Sequence, residues 1–422
     1  MGIIRVSGPE SIVIAERCFK GLPSSWEPRR LYHGWWTDGG DVELDEGLLV
    51  VMPAPHSSTG EDVVEIHLHG GPLNLHRCLD VCWRWGARPA EAGEFTRRAF
   101  LNGRMDLTRA EAIADLVAAR TDRALDQARA HLHGALFDEV TEAREVILNL
   151  RARLEVNIDF VDEDIPPMSV DSLCSDAREI SATMSRLAST WSSGRLWREG
   201  ARVALVGPPN TGKSSLFNAL CGESRVIVTP IPGTTRDTVE ETIDVLGVPV
   251  VLVDTAGIRQ TVDVVEMEGI ERARREVASA DLVLSLVDPE TGTEDEVNAP
   301  VMLRVRSQVD RFPRGTDAST DLRVSATTGH GLDALKEAMI QALGGDTGTA
   351  AGLVIGRKRH RLALERAADS LITAADLLAG GQPPELAAVD IQDATDALSE
   401  LVGLTTIEDM LDRLFGAFCI GK

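Results

Sequence analysis

The segment Gly207-Pro208-Pro209-Asn210-Thr211-Gly212-Lys213-Ser214 lies between an apolar run, Val203 to Val206, and a stretch of helical character, Ser214 to Leu220. A strand that ends in a glycine-rich loop and then a helix has few ways to fold. The loop must turn its backbone N–H groups inward, and the helix must aim its N-terminus at the same point, which makes an anion site. Gly233-Thr234-Thr235-Arg236-Asp237 and Asp254-Thr255-Ala256-Gly257 follow in the order and at the spacing of a nucleotide-hydrolysing switch. In this reading Lys213 reaches the β- and γ-phosphates and Ser214 offers its hydroxyl to Mg²⁺. Thr235 closes on the metal from the first switch loop, and Asp254, ending Val250-Val251-Leu252-Val253, holds the metal's water shell. A chance turn of P-loop type accounts for the first motif alone; it does not account for three in order on alternating strands and helices.

The chain has 422 residues, enough for about three domains and several cores. Aromatic residues are 4% of it, so those cores are built mainly from Leu, Val, Ile and Ala. No apolar run approaches the roughly 18–20 residues of a membrane span, and no basic then apolar leader opens the chain, so a cytoplasmic location and no membrane partner are expected. Six scattered cysteines argue for reduced thiols rather than a disulfide framework. Cys78 and Cys82 share a helix face, where packing is the better reading over a metal. The net charge of −23 disfavours a polyanionic partner unless basic residues gather in one patch. Only Lys20, Lys213, Lys336, Lys358 and Lys422 are lysines, so a lysine in the phosphate loop, where a compact ammonium is needed, stands out.

Three regions follow from the pattern. Short β-like runs, Ile3 to Val6, Gly47 to Met52 and Val63 to His67, predict a small α+β domain over residues 1–102. Apolar residues at spacings of three and four over Ala110 to Arg120 and Ala143 to Asn157 predict helices over 103–198, with Gly194 to Gly200 as a linker. Strands and helices then alternate over 199–346, which predicts a doubly wound parallel sheet with its ligand at the carboxyl ends of the strands. After the Gly/Thr-rich segment Gly344 to Gly352, residues 353–422 return to helix over Arg357 to Leu378, Leu386 to Leu401 and onward from Ile407, ending in Cys419-Ile420-Gly421-Lys422.

Further motifs bring in a family. Arg5-Val6-Ser7-Gly8, Thr59-Gly60-Glu61-Asp62, His69-Gly70-Gly71-Pro72, the run Ala92 to Asn102 (Ala-Gly-Glu-Phe-Thr-Arg-Arg-Ala-Phe-Leu-Asn), Ala110 to Leu116 and the terminal Cys-Ile-Gly-Lys together resemble the MnmE (TrmE) family of tRNA-modification GTPases over nearly the whole chain. The resemblance implies a multidomain α+β and α/β fold: an N-terminal folate-binding domain that dimerises, a helical domain assembled from both sides of the chain, and an inserted P-loop GTPase domain. It implies a homodimer that works with an FAD-containing partner of the MnmG (GidA) type on the 5-position of the wobble uridine of certain tRNAs. The one-carbon unit would come from 5-formyl- or 5,10-methylene-tetrahydrofolate, at a site carried over to Arg5, Glu65, Arg104 and Lys422. Arg104 stands where the family usually has lysine. Judged by residue type alone, Arg5 and Glu65 read as an exposed ion pair between strands, and His67 and His69 as strand-packing residues rather than a metal pair. Cys419 reads either as a reactive thiol or as an apolar plug.

The family also fills out the GTP site. Its contacts would be Asn210, Thr211, Gly212, Lys213, Ser214, Ser215, Thr229, Thr234, Thr235, Asp254, Thr255, Ala256, Gly257, Asp310, Ser325 and Ala326. Mg²⁺ would be held by Ser214 and Thr235. The position after Asp254-Thr255-Ala256-Gly257 is Ile258, which cannot orient water as a glutamine does; the resemblance assigns that role to Glu266, with Glu268 and Glu271 as fallbacks. A K⁺ ion on Asn210 and oxygens of Thr229, Ile231 and Thr234 would replace an arginine finger.

Two departures stand out. The chain begins at Met1-Gly2-Ile3 without the family's first strand and Thr-Pro-x-Gly loop, and the guanine-reading Asn-Lys-x-Asp is Ser307-Gln308-Val309-Asp310. Asp310 keeps the acceptor for guanine N1 and N2, while the bracing asparagine and the lysine stem are lost. Weakened nucleotide binding is therefore expected, to be tightened by about 1–3 kcal/mol on restoring both residues. The alternatives are a regulatory or ribosome-assembly GTPase, which would be expected to carry a basic RNA-binding module after the switch domain, and a degenerate paralogue with weak hydrolysis.

Overall fold

The computed structural model describes residues 1–159, 169–223, 240–254, 275–288, 290–295, 297, 299–312, 322–346, 352–405 and 408–418. The chain divides into two compact units, Met1–Ala114 with Val402–Lys422, and Asp115–Leu401.

The first unit is built on an antiparallel sheet in the order β1-β5-β4-β3-β2. Its strands are β1 (Gly2–Ser7), β2 (Phe19–Lys20), β3 (Leu31–Thr37), β4 (Glu43–Met52) and β5 (Val63–Leu68). Side chains alternate faces along each strand. Ile4, Leu49, Val51, Val64 and Ile66 therefore enter the core with Trp36, while Arg5, Val50, Glu65 and His67 fall on the other face. The helices α1 (Ser11–Cys18) and α2 (Pro72–Arg84) close the core through Ile14, Cys18, Cys78, Val81 and Cys82. A second cluster joins Leu107 and Ala110, from the start of α4 (Leu107–Ala118), to Leu411, Phe415 and Phe418 at the carboxyl end of the chain. Beside it α3 (Glu94–Leu101) offers Arg97, whose guanidinium is 2.9 Å from Asp412. β2 and β3 lie outside the β-like runs of the sequence.

The second unit contains α5 (Asp122–Leu132), α6 (Ala135–Asp159), α7 (Val170–Ser189) and α8 (Trp191–Glu199), followed by an α/β region. Its strands are β6 (Ala201–Val206), β7 (Glu240–Val245), β8 (Val248–Asp254), β9 (Leu282–Val287), β10 (Met302–Arg306) and β11 (Leu322–Arg323), with helices α9 (Lys213–Glu223) and α10 (Leu332–Ala342). The sheet order is β11-β10-β9-β6-β8-β7. All pairs are parallel except β7 with β8, an edge hairpin absent from the sequence reading. Every residue of β9 is buried, as expected of a strand covered on both faces. The return segment forms α11 (Lys358–Ala379) and α12 (Pro384–Val402), then α13 (Glu408–Gly416) in the first unit.

Helices from the two sides of the α/β region pack on each other. Cys174 Sγ of α7 donates to the Ala375 carbonyl at 3.3 Å, and Ser181 Oγ to the Ala368 carbonyl at 2.9 Å. Alanines at the facing positions of α11 leave room for this close approach. Gly194 to Gly200, expected as a linker, is instead part of α8 and the residue that ends it. Leu196 and Trp197 are buried in one cluster with Val203 and Leu205 of the sheet. Gly194 is what permits the packing, because a Cβ there would lie 2.2 Å from the Ile355 carbonyl oxygen. Burial of the apolar stripe outweighs the local signal of Ser, Ser and Gly.

Candidate nucleotide-binding site

β6 sits between β8 and β9, so the loop leaving its carboxyl end opens at the point where the strand order reverses, the usual ligand crevice of such sheets. That loop is Gly207 to Gly212. Asn210 takes the left-handed conformation at φ +63, and α9 starts immediately after, at Lys213. Thr211 is buried and its Oγ1 donates to the Pro208 carbonyl at 2.9 Å. Lys213 Nζ donates to the carbonyls of Gly207 at 2.7 Å and Pro208 at 2.6 Å, which holds the ammonium over the loop. Ser214 and Ser215, both exposed, occupy the first turn of α9, where the helix dipole favours an anion.

Asp254 ends β8 and is buried. Ser214 Oγ donates to Asp254 Oδ2 at 3.1 Å, so a hydroxyl and a carboxylate from two neighbouring elements face each other at the loop. That all-oxygen pair suits a hard divalent cation such as Mg²⁺.

The segment expected to read the base, Ser307 to Asp310, follows β10. The Gln308 carbonyl accepts from the N–H groups of Arg311 and Phe312, both at 3.0 Å, making the turn that presents Asp310. Asp310 Oδ1 accepts from Ser325 Oγ at 2.7 Å; Ser325 is buried, and its Oγ also accepts from Thr328 N, so Ser325 and the turn beginning at Ala326 are fixed against the same carboxylate. The two residues that stand in place of the motif's asparagine and lysine both reach the phosphate loop. Ser307 Oγ donates to the Thr211 carbonyl, and Gln308 Nε2 donates to the Asn210 carbonyl at 2.9 Å. Composition gave no sign of this, because it depends on two loops some hundred residues apart meeting in space.

Thr229, Ile231, Thr234, Thr235, Thr255, Ala256, Gly257, Ile258, Glu266, Glu268, Glu271, Cys419 and Lys422 lie outside the described residues.

In the first unit, Arg5 and Glu65 are cross-strand partners on β1 and β5. Arg5 Nη2 is 2.6 Å from Glu65 Oε1, and the Arg5 guanidinium carbon is 5.7 Å from the Phe95 ring centre. Arg104 follows α3, with its stem packed on Gly60. The motif residues between them are tied together: Ser7 Oγ to Thr59 Oγ1 at 2.7 Å, Arg98 Nη1 to Glu61 Oε2 at 2.9 Å, and Asn102 Nδ2 to the Thr59 carbonyl at 2.8 Å. Burial alone would raise the Glu94 carboxyl, but donors from Arg88, the Glu91 backbone and Arg98 outweigh it and hold it at about 2.

His67 remains on β5, its Nε2 3.6 Å from Glu65 Oε2. His69 corrects the strand-packing expectation: it lies past the end of β5, exposed, with Nδ1 2.7 Å from Asp45 Oδ1. Among the described residues no cluster of three or more His, Cys, Asp or Glu is arranged to hold a metal. The described cysteines are free and buried, and burial pushes Cys78 up to about 11 and Cys82 to about 12, consistent with packing roles. Among the described residues no helix is long and apolar enough to cross a membrane.

Two family models match this chain: the GTP-binding protein TrmE N-terminus over residues 1–104 and the MnmE helical domain over residues 107–419. Full-length relatives match it as well, each named tRNA modification GTPase MnmE. The one from Roseiflexus castenholzii is 42% identical, covering 100% of this chain and 96% of the relative. That from Aquifex aeolicus is 40% identical, covering 100% and 96%. That from Methylorubrum populi is 46% identical, covering 100% and 95%. With both models matched in order and whole-length identity at this level, the chain belongs to the MnmE family.

Proposed function

We propose a finer reading of this chain, which is a GTP hydrolase acting in tRNA modification. In the finer reading it is a potassium-dependent, cytoplasmic homodimer that works with an FAD-containing MnmG-type partner to place a folate-derived one-carbon unit, as an aminomethyl-type group, on the 5-position of wobble uridine. The observation that carries the hydrolase reading is the meeting of three groups at one crevice: Lys213 with the phosphate loop, the Ser214–Asp254 pair, and Asp310 held by Ser325.

Each group has a chemical task. Inward N–H groups and the α9 N-terminus receive the phosphates, and Lys213 neutralises charge on them. Ser214 with Thr235 would hold Mg²⁺, with Asp254 behind its water shell; when bound, the metal offsets charge that builds between the β- and γ-phosphates. K⁺, held by Asn210 with Thr229, Ile231 and Thr234, would supply the positive charge that an arginine finger supplies elsewhere. Asn210 is the one member of that set among the described residues, in the loop between β6 and α9 at φ +63. Glu266 orients the attacking water. Asp310 accepts from guanine N1–H and N2–H.

The Arg5–Glu65 pair and Arg104, with Lys422, would bind the folate. A partly exposed ion pair contributes at most about 1 kcal/mol to stability, so a ligand is free to compete for it.

GTP turnover in potassium against sodium tests the hydrolase mechanism. Potassium should raise turnover by well over about tenfold, and Asn210→Ala should abolish the difference. Equal rates in the two salts would remove the ion from the mechanism.

A further inference from the structure

We infer that Ser307 and Gln308 are the brace of the guanine pocket in this chain, and that Gln308 positions both that pocket and residue 210 of the phosphate loop through one hydrogen bond. The inference deepens the guanine-site reading above and rests on it.

The base-reading loop touches the phosphate loop at two successive carbonyls. Ser307 is buried and its hydroxyl serves the Thr211 carbonyl; Thr211 is wholly buried, so that carbonyl depends on a protein donor. Gln308 is held from both ends. Its backbone oxygen starts the turn that presents Asp310, and its side-chain amide donates to the Asn210 carbonyl. Both residues of that second bond are non-glycine residues in the left-handed region, Asn210 at φ +63 and Gln308 at φ +56. Such conformations persist where surrounding contacts over-determine them, and here each is tied to the other. Packing agrees independently: a Cβ on Gly212 would lie 3.0 Å from Gln308 Nε2 and 3.2 Å from Ser307 Oγ, so the loops are in contact with no room for a side chain between them.

A chemical requirement follows. Position 308 needs a donor long enough to reach the Asn210 carbonyl. An amide N–H meets it, and so does an ammonium; a carboxylate of the same size has only acceptors and repels that oxygen. Position 307 needs a hydroxyl or amide donor. Because the Asn210 side chain is the proposed K⁺ ligand, losing the Gln308 bond should disturb cation activation as well as base affinity. A residue that merely packed would not produce that pairing of effects.

The test uses the full chain and four variants, Gln308→Glu, Gln308→Lys, Ser307→Ala and the double substitution Ser307→Asn with Gln308→Lys. Circular dichroism and thermal melting confirm folding. Fluorescent GDP titration gives affinity, and GTP turnover is measured in potassium and in sodium. Gln308→Glu should weaken GDP binding by about tenfold and shrink the potassium-to-sodium ratio, the scale of one lost hydrogen bond to the site. Gln308→Lys should bind at least about fivefold more tightly than Gln308→Glu, since it restores a donor. Ser307→Ala should weaken binding by a similar factor, and the double substitution should tighten it by less than about threefold, because the brace is already present. The proposal is overturned if Gln308→Glu binds like the parent chain, if Lys and Glu at 308 behave alike, or if the double substitution tightens binding tenfold or more. A folded parent that binds no GDP would overturn the guanine-site reading itself, an outcome distinct from a bound parent that is indifferent to position 308.

Discussion

The two sheets of this molecule carry their chemistry in opposite ways. In the six-stranded, mainly parallel sheet, β9 is buried throughout and β6 at all but one position, so the strands are mainly scaffolding and the candidate functional groups gather at their carboxyl ends, on loops, at the last residue of β8 and in the first turn of α9. In the five-stranded antiparallel sheet, one face is core and the other is half exposed, so candidate functional side chains stand on the strands themselves, as Arg5 and Glu65 do. A loop motif is contiguous in sequence and declares itself. A strand-face site is assembled by register from residues sixty positions apart, and nothing local marks it.

If the comparison is right, the two sites can be broken separately, and this carries the largest effect. Deleting Cys419 to Lys422 should weaken folate binding and abolish tRNA modification while sparing GTP turnover. Glu266→Ala should lower turnover by at least about 10²-fold with little change in GTP or folate affinity. Titration calorimetry and steady-state kinetics on both variants decide it; a deletion that also stops GTP hydrolysis, or a Glu266→Ala chain with near-parent turnover, breaks the separation.

A smaller effect sharpens the contrast between scaffold and surface. Leu284, wholly buried in β9, should cost about 2–5 kcal/mol when replaced by Ala. Leu48, half-buried on the outer face of β4 opposite His67, should cost under about 1 kcal/mol in the same replacement. Urea unfolding of each variant measures the difference, and equal costs would mean that the outer face is as tightly packed as the parallel sheet.

The smallest effect is in acid. Glu94 is held at about 2, below its ordinary 4.5, so its contribution to stability is complete above pH 4.5 and is lost as pH falls through that window toward 2. Glu94→Gln should flatten the acid limb of the first unit's stability between those values. An unchanged acid limb would remove the Arg88–Glu94–Arg98 cluster from the account of how the Thr59-to-Asp62 loop is held.

Legibility follows the same division. The helices of 103–198 and 353–422, β6 with its loop, and β8 ending at Asp254 were readable because period and motif are local properties. β3 was not, because Gly34 and the adjacent Trp35 and Trp36 spoil an apolar alternation that only its pairing with β4 restores. In sequence α8 resembles a linker because its apolar stripe is short and its glycine looks like a breaker; the approach of Ile355 explains that glycine, and it comes from far along the chain. The bonds from Ser307 and Gln308 to the Thr211 and Asn210 carbonyls are not legible in residue types, because they depend on which donors two distant loops bring to which carbonyls.

We propose that the loops of the parallel sheet form a guanine site read by Asp310, and reversing one hydrogen bond at that residue is the sharpest probe of it. In that site Asp310 would accept from guanine N1–H and N2–H, whereas an asparagine would offer an N–H that suits the 2-oxo group of xanthine instead. Affinities for GDP and XDP should be measured for the parent chain and for Asp310→Asn. The parent should prefer GDP by at least about tenfold, and the variant should reverse the order. A parent that binds the two nucleotides equally, or a folded variant that keeps the parent's preference, would contradict it.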